Sequence, residues 1–345
     1  MTHPGWQTHH DPGKDRRFRW LLIQARRLGI LPSLGLKGAA GARKLMAPFP
    51  QPLRRVMEGP VPQVPTEDGT VAGRGGPIPW RLYRGDPSGQ QPLVVFFHGG
   101  GFVAGDLESH DHLCHLIAGR TPATVLAVDY RLAPEHPYPA AVHDCLDVLN
   151  ALPEAIPGDR SRLVLMGDSA GGNLCAAVSL ANADAGGPAL ARQVLIYPAT
   201  DGHHRGASHT TNANEAILTR SDIRFFMSTY LKGQDGLPRY YDILGQNDLE
   251  KLPPTSILIA GADPLRDDGR ELAQRLLSCE TEVTVSEYTH ACHGFLMFPG
   301  LLPSAQSALD WCVAEVRRTQ PLRDRTPTPP ETVPRRPTDR PSDGR

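Results

Sequence analysis

No strong field of one sign runs through this chain of 345 residues: 36 Lys and Arg stand against 37 Asp and Glu, a formal net charge of -1. Global charge therefore does not recruit nucleic acid or an anionic membrane. Long apolar runs are lacking as well. The stretch Arg19-Trp20-Leu21-Leu22-Ile23-Gln24-Ala25-Arg26-Arg27-Leu28 is amphipathic, interrupted by charge, and too short to span a bilayer or to act as a signal. Membrane insertion is not expected. The six cysteines (Cys114, Cys145, Cys175, Cys279, Cys292, Cys312) lie far apart with no C-x-x-C spacing, so free, mostly buried thiols are expected rather than a disulfide framework. A cytoplasmic enzyme follows as the expectation. Aromatics are sparse at 6%, and no internal repeat is present.

Glycine and proline, by contrast, are plentiful at 34 each, more than a helical bundle tolerates, which points to many strands and turns. With 40% hydrophobic residues, this length fits one large domain plus an insertion or small lid, or at most two domains. Short apolar, β-branched runs recur at Pro92–His98, Thr124–Val128, Leu163–Met166, Val194–Tyr197 and Ser256–Ala260, each bounded by Gly, Pro or Asp, as strands buried on both faces are. Helix-like stretches alternate with them at His110–Arg120, Pro139–Leu149, Gly172–Ala183 and Asp267–Leu277. That alternation predicts an α/β fold with a mainly parallel sheet and helices on both faces. Two segments break the pattern, residues 1–59 and 201–253, and both are placed to cover one end of the sheet. Beyond Gln320 the Pro- and Arg-rich tail, with almost nothing apolar, is expected to be disordered; a polyproline-type ligand role for it is the minor alternative.

Three elements carry chemistry. Gly167-Asp168-Ser169-Ala170-Gly171 lies between a strand and a helix. A nucleophilic serine on so sharp a turn needs glycine two residues to either side, and the following helix aims its N-terminus at the reacting centre. Alone, G-x-S-x-G is a weak signal; the flanking strand and helix strengthen it. His98-Gly99-Gly100-Gly101-Phe102 follows the strongest apolar strand, and its glycines let backbone N–H groups converge on a substrate oxygen. Gly100 and Gly101, with Ala170, are the expected oxyanion donors. No Lys-Ser/Thr follows the glycines, so a nucleotide loop does not fit.

The third element is a base and its orienter, without which a serine is a feeble nucleophile. The expected order along such a chain is Ser, then Asp or Glu, then His, each on a loop after a strand. Asp263 follows Ser256–Ala262, and His293 follows the strand-like Glu282–Tyr288. Asp267 and Asp268 are expected to cap the next helix, and His290 to be a solvated bystander. Adjacent loop residues point apart, so Cys292 is not expected to pair with His293. The Asp168 side chain is expected to turn away from substrate. His203, His204 and His209 lack a completing ligand set and are read as a solvated loop rather than a metal site.

Taken together, H-G-G-G-F at His98–Phe102, D-Y-R-L-A-P-E at Asp129–Glu135, G-D-S-A-G-G-N-L at Gly167–Leu174, D-P-L-R-D at Asp263–Asp267 and H-G-F at His293–Phe295 resemble the hormone-sensitive-lipase-like family of bacterial α/β-hydrolase esterases. The likeness spans about residues 92–298. It implies the α/β-hydrolase fold, an eight-stranded, mostly parallel sheet with a helical lid, and a triad of Ser169, Asp263 and His293. It also implies no cofactor or metal, and a preference for short acyl esters. On that scheme residues 1–61 and 201–253 form the lid, 62–200 and 254–319 the catalytic domain, and 320–345 the tail. Arg131 and Glu135 are expected to make internal ion pairs, with Asp144 a candidate partner. The likeness leaves open a substrate such as an acetylated sugar, an antibiotic, an amide or a carbamate, a non-catalytic receptor on the same scaffold, and whether the chain forms a homodimer.

Overall fold

A computed structural model describes residues 5–10, 13–30, 34–35, 38–86, 90–121, 123–319 and 321. The predicted disordered tail therefore lies almost wholly outside the described residues. The strands are β1 (Trp6–His9), β2 (Thr66–Gly73), β3 (Gly76–Tyr83), β4 (Pro92–Phe97), β5 (Thr124–Val128), β6 (Asp159–Asp168), β7 (Arg192–Ile196), β8 (Thr255–Ala262) and β9 (Val283–Cys292). The helices are α1 (Lys14–Arg27), α2 (Gly38–Met46), α3 (Leu53–Glu58), α4 (Asp111–Arg120), α5 (Ala140–Asn150), α6 (Ala170–Asp184), α7 (Ser208–Thr211), α8 (Arg220–Tyr230), α9 (Arg266–Ser278) and α10 (Pro303–Arg317).

The strands form one sheet in the order β1-β9-β8-β7-β6-β4-β5-β3-β2. All pairings are parallel except those of the β2–β3 hairpin and of β3 with β5. The expected eight strands become nine among the described residues, because Trp6–His9 adds a parallel edge strand beside Val285–Tyr288. The N-terminal segment therefore supplies sheet as well as covering helices.

Strand alternation sets the two layers. Leu93, Val95 and Phe97 pack with α5, α6 and α9 on one face, whereas Val94 and Phe96 pack with α4 and α10 on the other. Every residue of β4 is buried, so burying a side chain such as Phe96 contributes about 1.5–3 kcal/mol. β4 lies between β5 and β6, so the crossovers on either side of it leave in opposite directions. Such a reversal opens a crevice beyond the carboxyl ends of the parallel strands, where open α/β sheets bind their ligands.

The two segments that interrupt the alternation also meet. Arg19 pairs with Glu215, and Arg26 Nη2 lies 3.0 Å from Asp222 Oδ2. Asp222 belongs to the capping box that starts α8 and accepts the Gly35 N–H at 2.9 Å. Arg131 and Asp144 form the expected ion pair at 2.7 Å, with Asp144 fully buried. Glu135 instead reaches Arg43 of α2 at 2.6 Å.

Candidate active site

Ser169 stands at the end of β6, where the chain turns straight into α6 with φ 55° and ψ -115°. Glycine is required at both flanking positions. A Cβ on Gly171 would lie 1.9 Å from the Phe97 carbonyl oxygen, and one on Gly167 would lie 2.6 Å from Gly171. The neighbouring strand holds the elbow through a 2.8 Å bond from the Ser169 N–H to the Ile196 carbonyl. Backbone strain of this kind persists only where the surroundings over-determine it.

Asp263 follows β8 and His293 follows β9, and because both strands run parallel to β6 all three side chains emerge at one sheet edge. His293 Nδ1 lies 2.6 Å from Asp263 Oδ2, and its Nε2 lies 2.9 Å from Ser169 Oγ. A carboxylate only accepts, so the imidazole proton faces Asp263 and the Nε2 lone pair faces the serine hydroxyl. Asp263 is fully buried, with its second oxygen accepting the Leu265 N–H at 2.9 Å. Its own carbonyl accepts from Asn212 at 2.9 Å.

The glycine loop after β4 adjoins this row. Gly100 (φ 122°) and Gly101 (φ 63°) adopt backbone that side chains resist, and among the described residues no hydrogen bond uses either N–H. Gly100, Gly101, Ser169, Ala170 and His293 line one cavity of about 220 Å³, walled by apolar residues such as Met46, Phe49, Leu218 and Phe226. Asp168 holds the loop from below the elbow: its Oδ1 accepts the Gly99 N–H at 2.8 Å and lies 3.2 Å from His110 Nε2, and the residue also lines the cavity. Burial alone would raise the Asp168 carboxyl, but His110, His98 and that N–H outweigh it and hold it below the usual range. His98 stacks on Tyr130 at 4.2 Å, and burial drives its imidazole down to about 4. The loop thus stands on a buried polar footing that hydropathy does not reveal.

Other expectations are corrected. Asp267 and Asp268 do not cap α9, which begins after Leu265; both lie in its first turn and bond backward to residues 200–209. Asp268 accepts the Thr200 and Asp201 N–H groups at 3.0 Å, and its other oxygen lies 2.7 Å from His209 Nε2. His209 is therefore buried, not solvated, although His203 remains exposed. Ser208 Oγ also donates to the Pro264 carbonyl at 2.6 Å, so this stretch is stitched to the loop that carries Asp263. A histidine in a polar stretch and an acid 59 residues later left no local signal of the pairing. Cys292 is buried, which pushes its thiol up to about 12, so it stays protonated beside His293. His290 is half-buried near Arg16 at 3.2 Å.

A serine elbow, an imidazole bridging it to a buried carboxylate and a free-amide glycine loop, all at the carboxyl edge of a parallel sheet, define an α/β hydrolase of the serine esterase type. The chain belongs to the α/β-hydrolase fold family, which matches residues 94–297, and within it to the hormone-sensitive-lipase-like esterases. It is 42% identical over 254 residues, 70% of this chain and 66% of the other, to the carboxylic ester hydrolase LipN of Mycobacterium tuberculosis. It is 40% identical over 235 residues to the carboxylesterase NlhH of the same organism, covering 66% of this chain and 73% of that one. A solved hyperthermophilic esterase from Pyrobaculum calidifontis superimposes with a TM-score of 0.79 at 34% identity, covering 87% of this chain and 97% of that one. The protein is a carboxylic ester hydrolase. No helix among the described residues is long and apolar enough to cross a membrane.

Proposed function

We propose that the protein hydrolyses short-chain acyl esters through an acyl-enzyme on Ser169, with His293 as general base and Asp263 as its orienter. The observation that carries this reading is the unbroken hydrogen-bonded row Asp263–His293–Ser169 at 2.6 and 2.9 Å. His293 Nε2 takes the hydroxyl proton as Oγ attacks the acyl carbon, and Asp263 stabilises the imidazolium. The oxyanion is held by the Gly100, Gly101 and Ala170 amides. His293 then protonates the departing alcohol, activates water, and the acid leaves. The cavity of about 220 Å³ lies below the usual range for a drug-sized ligand of about 300–1,000 Å³, which supports short acyl groups.

The apolar walls contributed by Met46, Phe49, Leu218 and Phe226 support a lid role for residues 1–61 and 201–253, over a catalytic body of 62–200 and 254–319. Free thiols, five of the six buried, support a reducing, cytoplasmic location. Ser169→Ala lowers p-nitrophenyl butyrate turnover by about 10⁶-fold while the fold is kept. A variant with wild-type rates ends the assignment. Among nitrophenyl esters the rate falls steeply beyond medium chains; a maximum at long chains would make the protein a lipase.

A further inference from the structure

Helix α1 has two unlike sides. Asp15, Phe18, Arg19 and Arg26 face inward: Asp15 bonds Ser304 at 2.7 Å, Phe18 packs on Phe298 at 5.2 Å, and the two arginines reach Glu215 and Asp222. At about 3.6 residues per turn, Arg16, Arg17, Trp20, Leu21 and Arg27 share the opposite side. Trp20 and Leu21 are each 59% exposed, and Leu28 and Ile30, just past the helix end, are 74% and 73% exposed. Among the described residues, half of the large apolar side chains left exposed are thus gathered in eleven residues, 20–30.

The exposed charge of this segment has one sign. Residues 13–30 contain a single carboxylate, the buried Asp15, and none of Lys14, Arg17 and Arg27 pairs with a described carboxylate. A second copy of this helix would bring arginine against arginine, so self-association does not complement the face. Residues 320–345 carry six arginines against four acids and only Leu322 and Val333 as aliphatic anchors, so the tail is like-charged and poor in apolar surface. A nucleic acid would answer the arginines but not Trp20, Leu21, Leu28 and Ile30. An anionic bilayer answers both: the head groups take the arginines, and the aromatic and aliphatic side chains enter the boundary beneath them.

We infer that the outer face of α1 docks the protein on anionic lipid surfaces, lying in the interface without crossing it. The neutral overall charge does not oppose this, because the attraction acts within about one Debye length of the local cluster. Two further exposed apolar side chains of the N-terminal segment, Leu45 and Phe49, line the ester cavity and are 36% and 38% exposed.

The test is flotation of the full chain with vesicles of phosphatidylcholine alone or with about one third phosphatidylglycerol, at low and high salt. Binding should appear only with phosphatidylglycerol and weaken in salt. Arg17→Glu with Arg27→Glu should lower the partition coefficient at least about 25-fold, at about fivefold for each arginine removed. Trp20→Ser with Leu21→Ser should abolish binding even at low salt, and a Trp20→Phe variant should float yet lose the blue shift of tryptophan emission. Retained nitrophenyl ester hydrolysis checks that each variant is folded. Equal binding to both vesicles, no binding, or variants that float like wild type would overturn the inference. So would a wild-type dimer that Trp20→Ser with Leu21→Ser turns into monomer, or heparin binding insensitive to that pair in a protein that ignores vesicles.

Discussion

Asp263→Asn isolates what the buried carboxylate does, because the structure dictates how the amide must sit. Its Oδ1 site receives the Leu265 N–H at 2.9 Å and its Oδ2 site faces His293 Nδ1 at 2.6 Å. The amide oxygen must stay at Leu265, since the reverse would set two donors against each other in a site with no exposure, at about 1–3 kcal/mol. The NH₂ group then points at Nδ1 and selects the tautomer with hydrogen on Nε2. That imidazole presents a donor to Ser169 and cannot take its proton. The flipped amide restores the tautomer at a population cost of about 5–150-fold, and still lacks the charge that stabilises the imidazolium. The two losses together give a fall of about 10³–10⁴ in kcat, or about 4–5.5 kcal/mol of barrier. The assay is p-nitrophenyl butyrate hydrolysis near pH 7.5, with the melting temperature measured in parallel. KM and melting should change little. A loss below tenfold in a folded variant, or one confined to KM, would refute the argument from tautomer and orientation.

Gly101→Ala places a Cβ 2.3 Å from the Phe226 ring on backbone at φ 63°, so turnover should drop about 10²-fold as the loop shifts; unchanged kcat would remove Gly101 from the oxyanion contacts. Burial pushes His98 and His112 down to about 4 and about 3, whereas the unfolded chain titrates near 6.5. From pH 6.5 downward the unfolded state alone takes up these protons, so stability declines by about 1.4 kcal/mol per pH unit for each histidine until the folded values are reached. Calorimetry between pH 7 and 4.5 should show this decline, and His112→Gln should make it shallower; an identical slope would contradict a buried neutral imidazole. Arg131→Met leaves the fully buried Asp144 without its cation and should cost about 3 kcal/mol in urea unfolding, with kcat per folded molecule unchanged.

The parts of the fold that were legible in sequence are those whose signal is local. Pro92–Phe97 reads as a two-face buried strand because every position is apolar, and Gly167–Gly171 reads as an elbow because the turn itself demands small residues. The order Ser169, Asp263, His293 then follows from the topology of parallel strands. What escaped notice depends on distant partners. Trp6-Gln7-Thr8-His9 is a polar, four-residue piece that becomes a strand only beside Val285–Tyr288. His209 and Asp268 look like surface residues until the chain folds them together at 2.7 Å. The cationic, half-apolar side of α1 was visible as a pattern, yet which side faced outward was set by Glu215, Asp222 and Ser304.

The pairing of Trp6 with Val285 has a consequence for biosynthesis. At about 5–20 residues per second, the ribosome exposes the N-terminal segment for tens of seconds before its hydrogen-bonding partner is translated. The acids that hold Arg19 and Arg26 also emerge late, from positions 215 and 222. The nascent chain therefore carries an uncovered, basic, tryptophan-bearing helix until those acids emerge, and the outer border of the sheet is zipped up only once residues 285–288 have been made. Synonymous codons that slow translation between codons 30 and 285 should lengthen that window and lower the yield of folded enzyme.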